Sequence, residues 1–215
     1  MNTTVIIPTT GHPFFGRAFE SVINQTKTMV VFDGRHADFM LHYRHGPFFN
    51  SNEYFPNKLR LALPENVGAN GWYGHRVYAS VPMLCNSKYV AFLDEDNWFA
   101  SDWIETMEAA AERNDADIVT CRRTVTRQDE SIIGLDNAES IGYNDLHEPL
   151  FDTNTYLIRQ SIAHKICPAI YGQWGADRLL TDAVLKSALR IVHLRNYHGT
   201  YYRASEKLYP FFEQI

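Results

Sequence analysis

The chain has 215 residues, 45% of them hydrophobic and 21% charged, with a formal net charge of −5. That size suits one domain with a full core, and the acidic balance speaks against a general nucleic-acid coat while leaving room for a local basic patch. Aromatic residues are plentiful at 13%, more than packing alone usually demands and compatible with stacking on bases or sugars.

In chain order, "TTVIIP" reads as a buried strand ending at Pro8. "PFFGRAFESVINQT" places Phe15, Phe19, Val22 and Ile23 on one helical face, with Pro13 suited to the first turn. "TMVVFDG" is a second strand that ends on the acid Asp33. Residues His36 to Pro56 read as irregular, with a short strand near "FMLHYR". "KLRLALPEN" is a third strand, and "GANGWYGHRVYASVPMLCN" a helix that begins among glycines and ends or kinks at Pro82. "YVAFLDEDNWF" is a fourth strand running into three acids, followed by the helix "SDWIETMEAAAERND" with Ser101 as N-cap. "ADIVTCRR" and "FDTNTYLIRQ" are extended, "GADRLLTDAVLKSAL" is helical from about Ala176, and "RIVHL" makes a last strand. This alternation predicts a single α/β domain over residues 1–215, with a mostly parallel, Rossmann-like sheet flanked by helices.

Cys85, Cys121 and Cys167 lack CxxC spacing and read as reduced core thiols of a cytoplasmic protein. No apolar run approaches about 18 residues, so no membrane span is expected. The start "MNTTVIIPTTGHP" lacks a basic n-region and reads as a strand, not a signal peptide.

The acidic run carries the first functional suggestion. In extended geometry Asp94 and Asp96 point to one side and Glu95 to the other. Two converging carboxylates repel unless a cation lies between them, and hard oxygen donors suit Mg²⁺ or Mn²⁺. The alternative is an acidic turn that caps the following helix. Asn66, Gly68 and Gly71 form a loop permitting close backbone approach, but the pattern is neither GxGxxG nor GxxxxGK[ST].

Taken in order, "VIIPTTGHP", "VVFDG", "LPENVGANGWYGHR", "YVAFLDEDN", "GQWGADRLLTDAVL" and "LRNYHGTYYR" resemble the motifs of family 2 glycosyltransferases. The resemblance implies a GT-A fold, a nucleotide-sugar donor and a divalent metal. It assigns Pro8, Thr9, Thr10, Asp33, Asn66, Gly68, Asp94 and Glu95 to the nucleotide, with Arg76 and Arg203 as phosphate partners. Metal binding falls to Asp96 and His198, and the catalytic base to Asp177. The Glu that usually precedes that base is Ala176 here, so only Asp177 carries over. Trp174 is positioned to stack on a sugar ring, and Arg122, within "CRRTVTR", to meet an anionic acceptor, or else to lie on a solvated edge strand.

The expected activity is metal-dependent inverting transfer from a UDP sugar to an acceptor hydroxyl, the acceptor being a glycan or a modified nucleic-acid base. Residues 1–100 form the nucleotide half and 101–215 the acceptor half. Two alternatives stand beside it. A nucleotidyltransferase would want a lysine in "PTTGHPFFGR", and a non-catalytic binding module would not need this set of acids.

Overall fold

Apolar runs without polar alternation belong to strands covered on both faces, and β1 (Thr3–Thr9) is buried at all seven positions. The computed structural model describes residues 2–35, 57–136 and 150–214. Beside β1 lie β2 (Lys27–Phe32) and β4 (Tyr89–Phe92), both parallel to it. β3 (Lys58–Ala62) extends the sheet beyond β2, with its side chains less covered. β6 (Ile118–Cys121), β9 (Tyr156–Arg159) and β10 (Ile191–Leu194) complete seven strands in the order β10-β6-β9-β4-β1-β2-β3. Only β9 runs antiparallel, between β4 and β6.

The helices cover both faces. On one side α1 (Phe15–Glu20) and α3 (Trp103–Arg113) bring Phe15, Phe19, Trp103 and Met107 against Val5, Ile7 and Val119. On the other, α2 (His75–Ser80), α4 (Gln160–Ile166) and α5 (Ala176–Leu185) close over Ile6, Val90, Phe92 and Ile158. Phe92 is fully buried, and burial of such a side chain contributes about 1.5–3 kcal/mol. α2 ends at Ser80, before Pro82, and a 3-10 turn continues to Leu84. Pro82 lacks the N–H that another α-helical turn would use.

A second sheet is an addition to the sequence-based picture. It has the order β5-β11-β7-β8, from β5 (Trp98–Phe99), β11 (Thr200–Arg203), β7 (Arg123–Thr126) and β8 (Ile132–Leu135). "RIVHL" is therefore not the last strand. A short final helix, α6 (Tyr209–Phe212), packs Phe212 with Val125 and Ala204 behind this sheet.

Two local expectations also change. Ser101 does not cap α3; the N-cap is Asp102, without a side-chain cap bond. Asp94–Asp96 are not strand residues: β4 stops at Phe92, and the Asn97 amide closes a turn on the Asp94 carbonyl (3.2 Å). The anticipated strand near "FMLHYR" lies outside the described residues. Cys85, Cys121 and Cys167 are free and buried, and among the described residues no helix is long and apolar enough to cross a membrane.

Candidate active site

The chain adds β2 and β3 on one side of β1 and then returns to place β4 on the other. Loops leaving the carboxyl ends of β1 and β4 therefore diverge, and a crevice opens between them, the usual ligand position in open α/β sheets. A cavity of about 580 Å³ lies there. Asp94, Glu95 and Asp96 all line it, because the turn after β4 removes the strand alternation that would have separated Glu95 from the two aspartates.

Each acid has a different occupation. Glu95 grips the loop after β1. It accepts from Thr9 Oγ1 (2.5 Å), from the Thr10 amide and hydroxyl (3.1 and 2.8 Å), and from the His12 amide (3.0 Å). Asp33, at the end of β2, accepts from the amides of Val67 (2.6 Å) and Gly68 (2.8 Å), holding the glycine loop against the sheet. Burial raises the Asp33 pKa, and those two amides pull it back. Gly68 is needed for this approach: a Cβ there would lie 2.2 Å from the Tyr73 carbonyl oxygen and 2.8 Å from Asp33 Oδ2.

Asp94 is clamped on both oxygens, by the Tyr78 hydroxyl (2.7 Å) and by Asn154 Nδ2 (2.7 Å). Asp96 is held through its backbone, its carbonyl accepting from Arg203 Nε (3.1 Å). Its carboxyl pKa is pushed up to about 7, first by burial and then by Asp94 and Glu95, with Arg203 compensating only in part. Hard oxygen donors that repel one another suit a divalent cation. Mg²⁺ is commonly held by one or two carboxylates plus phosphates and water, so a single fixed carboxylate fits that role. A closed protein cage does not form, since no group of three His, Cys, Asp or Glu among the described residues has metal-holding geometry.

The opposite wall comes from α5 and the turn before it. Gly175 takes a left-handed conformation (φ +83°) as N-cap, which brings Asp177 into the first helical turn and onto the cavity. Burial raises the Asp177 pKa, and the charge of Asp152 adds to it. Trp174 stands at the rim, 78% exposed, with the Arg178 guanidinium 5.4 Å from its ring centre.

Pro8, Thr9, Thr10, Asn66 and Gly68 also line the cavity. Four residues given a site role from sequence, Arg76, Arg122, Arg203 and His198, do not. Arg76 donates to the Val67 carbonyl (3.2 Å) and stacks on Trp72 (3.8 Å). Arg203 is buried, with its guanidinium over Phe14 (3.8 Å) and bonds to the Gln128 carbonyl (2.5 Å) and Glu130 (3.0 Å). His198 has its pKa lowered, mainly by burial and then by Arg122. It precedes β11, whereas Asp96 lies level with Arg203 at that strand's far end, about 10 Å along the extended chain from Thr200. The structure does not bring His198 and Asp96 together.

The basic cluster also divides. Arg123, at the start of β7, is buried, where it pairs with Asp136 and with Asp152 (2.5 Å) and lies over Tyr202 (4.1 Å). Arg127 pairs with Glu213 (2.7 Å). Arg123 and Arg127 therefore do not share one basic surface. Sequence reading missed Tyr78 and Asn154. The D-x-N spacing of "FDTN" is an Asx-turn signal, and the Asn154 amide does close on Asp152 Oδ1 (2.8 Å). Nothing local marked Tyr78.

The sequence model of glycosyl transferase family 2 matches residues 83–186, from the end of the 3-10 turn to the end of α5. A search of the curated proteins found no match. Among solved structures, S. aureus TarS 1-349 in complex with UDP-GlcNAc superposes with a TM-score of 0.68 at 17% identity, covering 96% of this chain and 59% of that one. The same protein in complex with UDP gives 0.66 at 16% identity, covering 99% and 63%. At such identities the likeness is one of fold, and this chain spans about three-fifths of the TarS 1-349 length. Over the segment that carries the acid turn and Asp177 the chain is similar to glycosyl transferase family 2, and its fold is like that of the TarS structures.

Proposed function

We propose that the chain transfers a sugar from a UDP-linked nucleotide sugar to an acceptor hydroxyl, in a metal-dependent single displacement that inverts the anomeric carbon. The observation that carries this reading is the meeting in one cavity of the acid turn 94–96 and Asp177. The TarS structures hold UDP-GlcNAc and UDP, which makes a UDP sugar the first donor to test.

The two gripped loops, 9–12 on Glu95 and 66–68 on Asp33, form the donor wall outside the ends of β1 and β2. There they offer pre-set backbone to a nucleotide. A Mg²⁺ or Mn²⁺ ion held at Asp96 would offset the charge that builds on the diphosphate oxygen as it leaves. Asp177 takes the acceptor proton. Burial raises its pKa, which strengthens it as a base. As the acceptor oxygen bonds to the anomeric carbon, the bond from that carbon to the diphosphate oxygen breaks. Asp152 is the neighbouring acid, and its pairing with Arg123 (2.5 Å) quenches it as a nucleophile, which favours one displacement over two. Trp174 supplies an exposed face to the acceptor ring. Residues 1–100 thus contribute mainly to the donor and 101–215 to the acceptor. The three free, buried thiols suit a reducing, cytoplasmic setting.

The test compares two variants. Asp96→Ala should weaken UDP binding in the presence of Mn²⁺ and abolish UDP release from UDP-GlcNAc. Asp177→Asn should bind UDP as the parent does, while turnover falls by about 10²–10⁴, the usual contribution of a general base. Near-normal turnover by Asp177→Asn would move the base elsewhere. UDP affinity untouched by both EDTA and Asp96→Ala would remove the metal.

A further inference from the structure

Asn154 is 1% exposed, and its side chain makes three bonds that admit a single orientation. Nδ2 donates one hydrogen to Asp94 Oδ2 (2.7 Å) and the other to Asp152 Oδ1 (2.9 Å). Oδ1 accepts the Asp94 amide (2.5 Å). A flipped amide would set its oxygen against two carboxylates and its NH₂ against an N–H, so the network alone assigns the rotamer. The backbone of Asn154 is anchored as well. Its amide donates to Asp152 Oδ1 (2.8 Å), and its carbonyl accepts from Thr200 Oγ1 (3.2 Å) in the second sheet.

The two acids joined by this amide come from different segments that line the cavity, the turn after β4 and the turn before β9. Asp94 is part of the acid turn, flanked by Tyr78. Asp152 neighbours Asp177 and takes its counter-charge from Arg123. Like charges in a dry site separate unless something polar and neutral stands between them. Arg123 balances the charge of Asp152 but does not touch Asp94; the primary amide serves both.

We propose that Asn154 is a positioning residue for glycosyl transfer, setting the distance between the donor-side acid turn and the acceptor-side carboxylates. The inference rests on the transferase reading above. Nucleotide affinity draws chiefly on the loops held by Asp33 and Glu95 and on Asp96; Asn154 bonds none of these three side chains, and Asp94 is its contact in the acid turn. Loss of the bridge should therefore act on kcat and spare KM. A displacement of about 1 Å in such a site costs on the order of 10²-fold in rate.

The experiment uses Asn154→Ala, which removes both donors, and Asn154→Ser, which keeps one. UDP binding with Mn²⁺ is followed by calorimetry, UDP release from UDP-GlcNAc by kinetics, and the fold by near-UV circular dichroism. The expected result is a parent-like spectrum, a UDP Kd and a KM within about threefold of the parent, and a kcat reduced roughly 10–100-fold in Ala, with Ser between Ala and the parent. A kcat equal to the parent's, a change confined to KM, or failure of both variants to fold would each overturn the positioning role. A parent chain that releases no UDP from any nucleotide sugar would instead defeat the transferase reading itself, so the two failures are told apart.

Discussion

Arg203 shows how much a single residue's role depends on what surrounds it. Its guanidinium holds the Asp96 carbonyl, the Gln128 carbonyl and Glu130 together, under Phe14. A side chain so engaged orients the acid turn. Arg203→Lys keeps the charge but loses the planar fork that reaches three partners at once. Charged hydrogen bonds contribute about 1.5–3 kcal/mol each, and lysine can retain part of them. The variant should lose about 2 kcal/mol in a urea titration and bind UDP with Mn²⁺ more weakly. Parent-like stability would show the fork to be dispensable. Asp33 and Glu95 follow the same logic: acids at strand ends were legible, but the amides they accept come from residues 34 positions and more than 80 positions away.

At the scale of elements, two glycines bracket the cavity and make opposite predictions. Gly175 needs its positive φ (+83°), yet a Cβ there would meet only Arg178 Nη1 at 3.6 Å. Gly175→Ala should cost about 1 kcal/mol of conformational strain and leave UDP binding intact. Gly68 needs space: the Tyr73 carbonyl would sit 2.2 Å from a Cβ, and backbone cannot swing aside as a side chain can. Gly68→Ala should displace the loop from Asp33 and weaken UDP binding at least tenfold, with calorimetry as the measure. Equal effects from the two substitutions would contradict this distinction between strain and collision. The helices themselves were the most readable elements. Ala176, Leu180, Thr181 and Val184 fall on one buried face of α5, a helical spacing plain in the sequence.

For the molecule as a whole, the buried pairing of Arg123 with Asp136 and Asp152 ties the second sheet to the cavity of the first. Arg123 is 1% exposed and Asp136 likewise 1%. Removing the cation would leave two acids together without compensation, a kind of change that typically costs about 3–5 kcal/mol. Arg123→Met should therefore lower the urea midpoint strongly, and the loss should shrink when Asp136→Leu is added, since the orphaned charge is then gone. An additive double variant would show that the pair is not coupled.

The sequence by itself determined a mostly parallel sheet, the succession of β1 to β4 along the chain, the helices between them, and three acids at the crevice: Asp33, Asp96 and Asp177. These features follow from local periodicity and from where apolar runs stop, which neighbouring residues suffice to set. Only the tertiary structure decided what each polar group touches. It turned Arg123 inward, spent Arg203 and Arg76 on backbone carbonyls, kept His198 away from Asp96, and made Asn154 the bridge between Asp94 and Asp152. A hydrogen bond is short and directional, so its partner depends on which distant segments packing brings within about 3 Å. Local periodicity carries no record of that.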